Sequence, residues 1–129
     1  PSGRVIAVDV QPKMIEGLKR RARKAGLLDR IDARVAQPAS MGLVGLDQSI
    51  DFVLAFAVVH ELPASAAFFA EAARALKPGA TLLLAEAAGY VTEAKFTGQL
   101  AAGAENGLTV TARPFQRRCR TALLSKRAA

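Results

Sequence analysis

Cysteine, histidine and tryptophan are almost missing from this chain of 129 residues. Cys119 is the sole cysteine, so no disulfide can close within the chain and no cysteine-based zinc site can be built. A cytoplasmic setting is the natural expectation from that usage. Six phenylalanines and one tyrosine are the only aromatics, and His60 is the only histidine, so general-base chemistry by imidazole has one candidate. Long hydrophobic runs are missing too: the longest uncharged apolar stretch, residues 52–59, is far too short to cross a bilayer. No segment with the pattern of a secretory or transit peptide is visible.

Acidic residues are outnumbered, 11 against 18 Lys and Arg, for a formal charge of +7. Clustered cations neutralise phosphates, so nucleic acid has to be weighed as a partner. The clusters are residues 19–24, along one side of an expected helix, and residues 113–120 with Lys126 and Arg127, around a late turn and the tail. The first holds no aromatic and the second only Phe115, short of the interleaving on which a single-strand binder stacks bases, so the expectation is a solvated basic surface. Half the residues are apolar, which suits one globular domain over residues 1–129 burying roughly two-thirds of its unfolded surface.

The front of the chain carries the most information. Val5, Ile6, Ala7 and Val8 form a β-branched run that turns polar abruptly at Asp9, as a buried parallel strand does where it ends. Pro12 suits the first turn of a helix, and Met14, Ile15, Leu18, Ala22 and Ala25 recur at helical spacing until Gly26. Strand, acid and immediate helix make half of a nucleotide-binding βαβ unit, in which Asp9 meets a ribose diol. The alternative is that Asp9 only caps the turn into the helix.

Further strands are expected over residues 31–36, 50–59 and 81–85, the second a central buried strand and the third ended by Glu86. Residues 37–40, with Pro38 and Ala39, break the first of these, and residues 41–49 read as a loop. Helices are expected over residues 64–76, stopped by Lys77-Pro78-Gly79, and over residues 92–105, with Thr92 as N-cap and Phe96, Leu100 and Ala104 on the buried face. Asn106-Gly107 ends the last helix. Residues 108–112 and 121–125 are too close in sequence for a helical crossover and must pair antiparallel. The sum is an α/β fold: a Rossmann-like, doubly wound, mostly parallel sheet with a C-terminal antiparallel hairpin.

That order of elements resembles the class I S-adenosylmethionine-dependent methyltransferases. The resemblance is carried by residues 3–10 with Met14, by residues 51–55 running through His60-Glu61-Leu62, by Ala75-Leu76-Lys77-Pro78-Gly79-Ala80, and by residues 106–108 and 120–124. It implies S-adenosylmethionine as cofactor and methyl transfer to a small-molecule acceptor. Residue by residue, it implies that Asp9 holds the ribose hydroxyls, that Val10 and Met14 lie near the adenine, and that Gln37 stands where the family often has an Asp for the adenine amino group. Phe56 and Ala57 then lie beside the methionine part of the cofactor. His60 falls where an acceptor approaches and is the candidate catalytic base; its structural alternative is a hydrogen bond that holds the loop of Glu61 and Pro63. Glu61 and Glu86 are candidates to orient His60 or bind a substrate cation, against a solvated role.

One departure is large. The family's first strand and Gly-rich loop precede the acidic residue by about twenty residues, and only eight residues precede Asp9. The strands ending at Asp9 and Ala57 are then expected not to pair with each other. Their free edges imply a piece of a longer enzyme, or a second copy or other chain completing the sheet, because each orphaned backbone group costs about 1 kcal/mol or more when buried. Two other classes stay open. A nicotinamide-dependent oxidoreductase also ends its second strand in an acid, and a non-catalytic module of the same fold offers its basic surface to nucleic acid or protein.

Overall fold

In the computed structural model the β-branched run at the front is strand β1 (Val5–Asp9). The structure describes residues 3–37, 40–43, 45–62 and 64–127, so the expectations at Pro38, Ala39 and Pro63 lie outside the described residues. The chain divides into two units, Pro1–Gly42 and Leu43–Ala129.

In the first unit, β1 runs parallel to β2 (Ile31–Val35), from Val5 opposite Ile31 to Asp9 opposite Val35. Helix α1 (Pro12–Lys24) crosses between them and buries Ile15, Gly17 and Ala22, while Met14 stays 54% exposed. Its start follows the sequence signal, with Pro at the first helical position, where no N–H is needed. Its last turn carries Arg21, Arg23 and Lys24 beside the negative end of the helix dipole, so the first basic cluster has a favourable local role. Gly26 takes φ 71°, a conformation that glycine reaches without a Cβ clash, and Leu27 N–H closes the turn on the Ala22 carbonyl.

The second unit holds β3 (Ile50–Phe56), α2 (Ser65–Ala75), β4 (Leu76–Ala87), α3 (Glu93–Glu105), β5 (Leu108–Ala112) and β6 (Cys119–Lys126). Its sheet has the order β3-β4-β6-β5, with β3 and β4 parallel and the β4–β6 and β5–β6 pairs antiparallel. Leu82, Leu84, Ala122 and Leu124 from the sheet, Phe69 and Ala72 from α2 and Phe96 from α3 are fully buried. Each large apolar side chain removed from water in this way contributes roughly 1.5–3 kcal/mol.

Several expectations need correction. The sheet is mixed rather than mostly parallel, because the closing hairpin contributes both antiparallel pairs. Strand β3 is an edge strand among the described residues, with Phe52, Leu54 and Phe56 each half exposed or more, and it stops at Phe56 because Ala57 turns to φ 53°. Helix α2 gives way at Leu76 directly to β4, so Lys77-Pro78-Gly79 lies inside a strand, at an irregular register opposite residues 50–52, with Gly79 at φ 82°. Strand β6 is longer than expected at both ends. The buried face of α3 is Phe96, Gln99 and Gly103 instead of Phe96, Leu100 and Ala104. Gly103 explains the rotation: a Cβ there would lie 3.0 Å from Leu124 Cδ2, so any side chain at this position would have to push Leu124 or the helix aside. Among the described residues β1 and β3 belong to separate sheets.

Candidate active site

Both parallel pairs end in the residues that the sequence singled out. In the first unit the Asp9 carbonyl accepts from Ala36 N–H (2.8 Å), so Asp9 and Gln37 sit at the same end of β1 and β2. Asp9 Oδ1 accepts from Gln11 N–H at 2.8 Å, which caps the turn into α1. The capping role is therefore real, and it leaves Oδ2 without a protein partner among the described residues. Val10 forms the bend that follows, Met14 presents an exposed thioether one turn into α1, and Gln37 is exposed and bridged through its backbone to Ser40. A partly exposed strand-end carboxylate with one fixed and one open oxygen fits a ribose diol.

In the second unit Phe56 is 58% exposed at the end of β3, and Ala57 N–H donates to the Ala85 carbonyl at 2.7 Å. A left-handed alanine costs on the order of 1–2 kcal/mol, strain that the packing around the strand end must hold in place. A short 3-10 turn, Val59–Glu61, follows and carries His60. The turn brings His60 onto Glu86, at the end of β4. Glu86 is completely buried, contrary to the solvated alternative. Its Oε2 accepts from the His60 backbone N–H and from Gln99 Nε2, each at 2.9 Å, and its Oε1 lies 3.2 Å from His60 Nδ1. Glu86 therefore orients His60, and Glu61 does not.

A carboxylate can only accept, so the ring nitrogen facing it carries the hydrogen. That assigns the proton to Nδ1 and leaves Nε2 as a free acceptor without a protein partner among the described residues. The imidazole is about one-quarter exposed and lies against Tyr90, ring centroids 6.0 Å apart and planes 12° from parallel. Gln99 was not a sequence candidate, though a polar residue at helical spacing between Phe96 and Gly103 was a legible signal. Its Oε1 is buried without a partner, so the polar cluster is held on one side only. No group of metal-ligating side chains occurs among the described residues.

These features define an α/β protein whose polar residues gather at strand ends, with one oriented imidazole. A family model described as a methyltransferase domain matches residues 1–84, which run through both units. The chain belongs to that family, and S-adenosylmethionine-dependent methyl transfer is the activity that follows from its membership. No curated protein sequence matches the chain. Among solved structures, a SAM-dependent methyltransferase from Aquifex aeolicus superposes with a TM-score of 0.79 at 22% identity, over 95% of this chain and 69% of that one. A SAM-dependent methyltransferase from Methanosarcina mazei gives 0.72 at 16%, over 98% and 83%. The [4+2]-cyclase SpnF gives 0.78 at 14%, over 98% and 68%, so this fold also carries other chemistry and the particular reaction has to be argued from the site. No described helix is long and apolar enough to cross a membrane.

Proposed function

We propose that this chain transfers a methyl group from S-adenosylmethionine to a small-molecule acceptor, with His60 Nε2 taking the acceptor's proton. The observation that carries the reading is the buried Glu86 carboxylate on His60, which fixes the imidazole through both its backbone and its ring. The cofactor supplies an electrophilic methyl on a sulfonium, so the protein has to place the acceptor and remove its proton rather than generate a strong nucleophile. Asp9 holds the ribose hydroxyls through its open oxygen, Val10 and Met14 flank the adenine, Gln37 accepts from its amino group, and Phe56 and Ala57 lie along the methionine part. Residues 1–129 act as one domain in a cytoplasmic setting, with a second copy or a further strand pairing the free edge of β3.

Support for His60 as a proton acceptor comes from the cost of building this arrangement. A fully buried carboxylate that accepts from His60 and Gln99 and from no Lys or Arg among the described residues is expensive, and a fold that needed only a loop anchor is served by a neutral side chain. The test is label transfer from methyl-tritiated S-adenosylmethionine into pooled small-molecule acceptors bearing hydroxyl, amine or thiol groups. Label should enter the small-molecule fraction and fall about a hundredfold in His60→Gln, with binding of S-adenosylhomocysteine kept. Equal transfer by His60→Gln, or label found only in protein or nucleic acid, rejects the reading.

A further inference from the structure

We propose that the methyl acceptor carries a carboxylate or phosphate group, and that this group docks in a small cavity at the base of the β5–β6 connection. This inference rests on the methyl-transfer reading above and adds the anchoring group that the reading leaves open. The cavity has a volume of about 190 Å³ and is lined by Glu93, Arg113, Phe115, Gln116, Cys119 and Arg120, among others.

Its position follows from strand register. Strand β4 runs parallel to β3 and antiparallel to β6, with Glu86 opposite Arg120 and Ala87 opposite Cys119. The start of β6 therefore lies at the carboxyl end of β3 and β4, the end where His60 sits. Ligands of open α/β sheets bind at that end. Residues paired across strands share a face, so Arg120 emerges beside Glu86, one strand over from the imidazole.

The two cations are held in fixed orientations. Arg113 donates from Nε to the Thr121 carbonyl (2.6 Å), and its guanidinium lies 5.1 Å from the centre of the buried Phe96 ring. Arg120 donates from Nε to the Val91 carbonyl and from Nη1 to Glu93 Oε2, both at 2.7 Å. Each arginine is thus pinned along one side. Arg113 keeps both Nη groups, and Arg120 its Nη2, without protein partners among the described residues. The Arg113 guanidinium, fixed through Nε and open at both Nη groups, presents parallel N–H donors, the geometry that carboxylate and phosphate oxygens match, and Arg120 adds donors from Nη2.

Two arginines against one carboxylate leave the cavity positive, and Arg117 and Arg118 on the same connection add to its field. Phe115 is 91% exposed, so its ring is a free wall on which a flat acceptor can lie. The volume is below that of an ordinary drug-sized pocket, so it suits one acidic group with its adjoining ring and leaves the rest of the acceptor to reach toward His60. An acid anchored here would be oriented as well as bound, because both guanidinium groups are hydrogen-bonded to backbone carbonyls.

The test titrates benzoate, phenyl phosphate and uncharged benzamide into the 129-residue chain, following backbone amide shifts by NMR, with S-adenosylhomocysteine titrated in a parallel sample. Either anion should give saturable shifts confined to residues 113–121 with millimolar affinity, benzamide being at least about tenfold weaker; the tighter anion identifies the acidic group. Arg113→Met should weaken the anion about tenfold, and Phe115→Ala, at an exposed position that cannot unfold the chain, a few-fold. Absent shifts, equal binding of benzamide, or unchanged affinity in both variants overturns the site even if S-adenosylhomocysteine binds. Anion binding with no S-adenosylhomocysteine binding keeps the site and overturns its assignment to a methyl acceptor.

Discussion

Glu86→Gln separates the structural from the chemical role of the buried carboxylate. Glu86 accepts from the His60 N–H, from Gln99 Nε2 and from the His60 ring, and its exposure is 0%. Truncation to alanine strands two of these donors in a buried site at about 1–3 kcal/mol each, so Glu86→Ala should lose about 2–5 kcal/mol by urea denaturation. Glutamine keeps one acceptor for the His60 N–H. With that oxygen in the place of Oε2 it still accepts from Gln99 Nε2 as well, and its amide nitrogen then faces His60 Nδ1. Glu86→Gln should therefore cost only about 1 kcal/mol. What it cannot restore is the anion on Nδ1. A charge-assisted bond of roughly 1.5–3 kcal/mol biases the tautomer at least about tenfold toward Nδ1–H. Because His60 is the only histidine, a long-range ¹H–¹⁵N spectrum reads that tautomer without overlap. The wild-type chain should show Nδ1–H, and Glu86→Gln, whose amide N–H donates to Nδ1, should shift toward Nε2–H. A wild-type proton on Nε2, or a variant with an unchanged tautomer, would refute the reasoning.

Other predictions follow from packing and backbone geometry. Gly98 and Gly103 lie on the same helix, but a Cβ meets nothing within 4 Å at Gly98 and Leu124 at Gly103. Gly98→Ala should gain about 0.5–1 kcal/mol in thermal denaturation, while Gly103→Ala should fall about 1–3 kcal/mol below it. Ala57→Gly relieves the φ of 53° and should stabilise by about 0.5–1 kcal/mol; a loss would mean that the strain is absent. The hydrogen bond from Arg34, at 2.8 Å, holds the Asp32 carboxyl below its ordinary range. A depressed folded value stabilises above the unfolded value and is lost as pH falls through the folded one. Asp32→Asn should then lower stability slightly at neutral pH, in a salt-sensitive way, with the difference from wild type vanishing as acid protonates Asp32.

Local chemistry was legible in the sequence wherever one residue type had one physical reason to be there. Pro12 started α1, Gly26 ended it, and Thr92 capped α3, its Oγ1 accepting from Lys95 N–H at 3.1 Å. Asp9 was readable as a strand end because a polar residue directly after a β-branched run marks one, whereas His60 lies on a 3-10 turn beyond a strand that already stops at Phe56. Tertiary features were less so. Nothing local in Leu76-Lys77-Pro78-Gly79 says that β4 absorbs them, since that depends on pairing with β3. The face of α3 was misread because Leu100 outranks Gly103 in hydropathy, whereas the close approach of Leu124 rewards the residue with no side chain. Glu86 read as a rim carboxylate because its burial depends on Gln99 and on the His60 turn, which come from two other elements.

The most direct test of the methyl-transfer account is calorimetric titration of S-adenosylhomocysteine into the wild-type chain and into Asp9→Asn. Asparagine keeps an acceptor for Gln11 N–H and so preserves the turn, but removes the charge that grips a ribose diol. The account predicts saturable wild-type binding, weakened about ten- to a hundredfold in Asp9→Asn. Equal affinity in the two proteins, or no binding to the wild type, would contradict it.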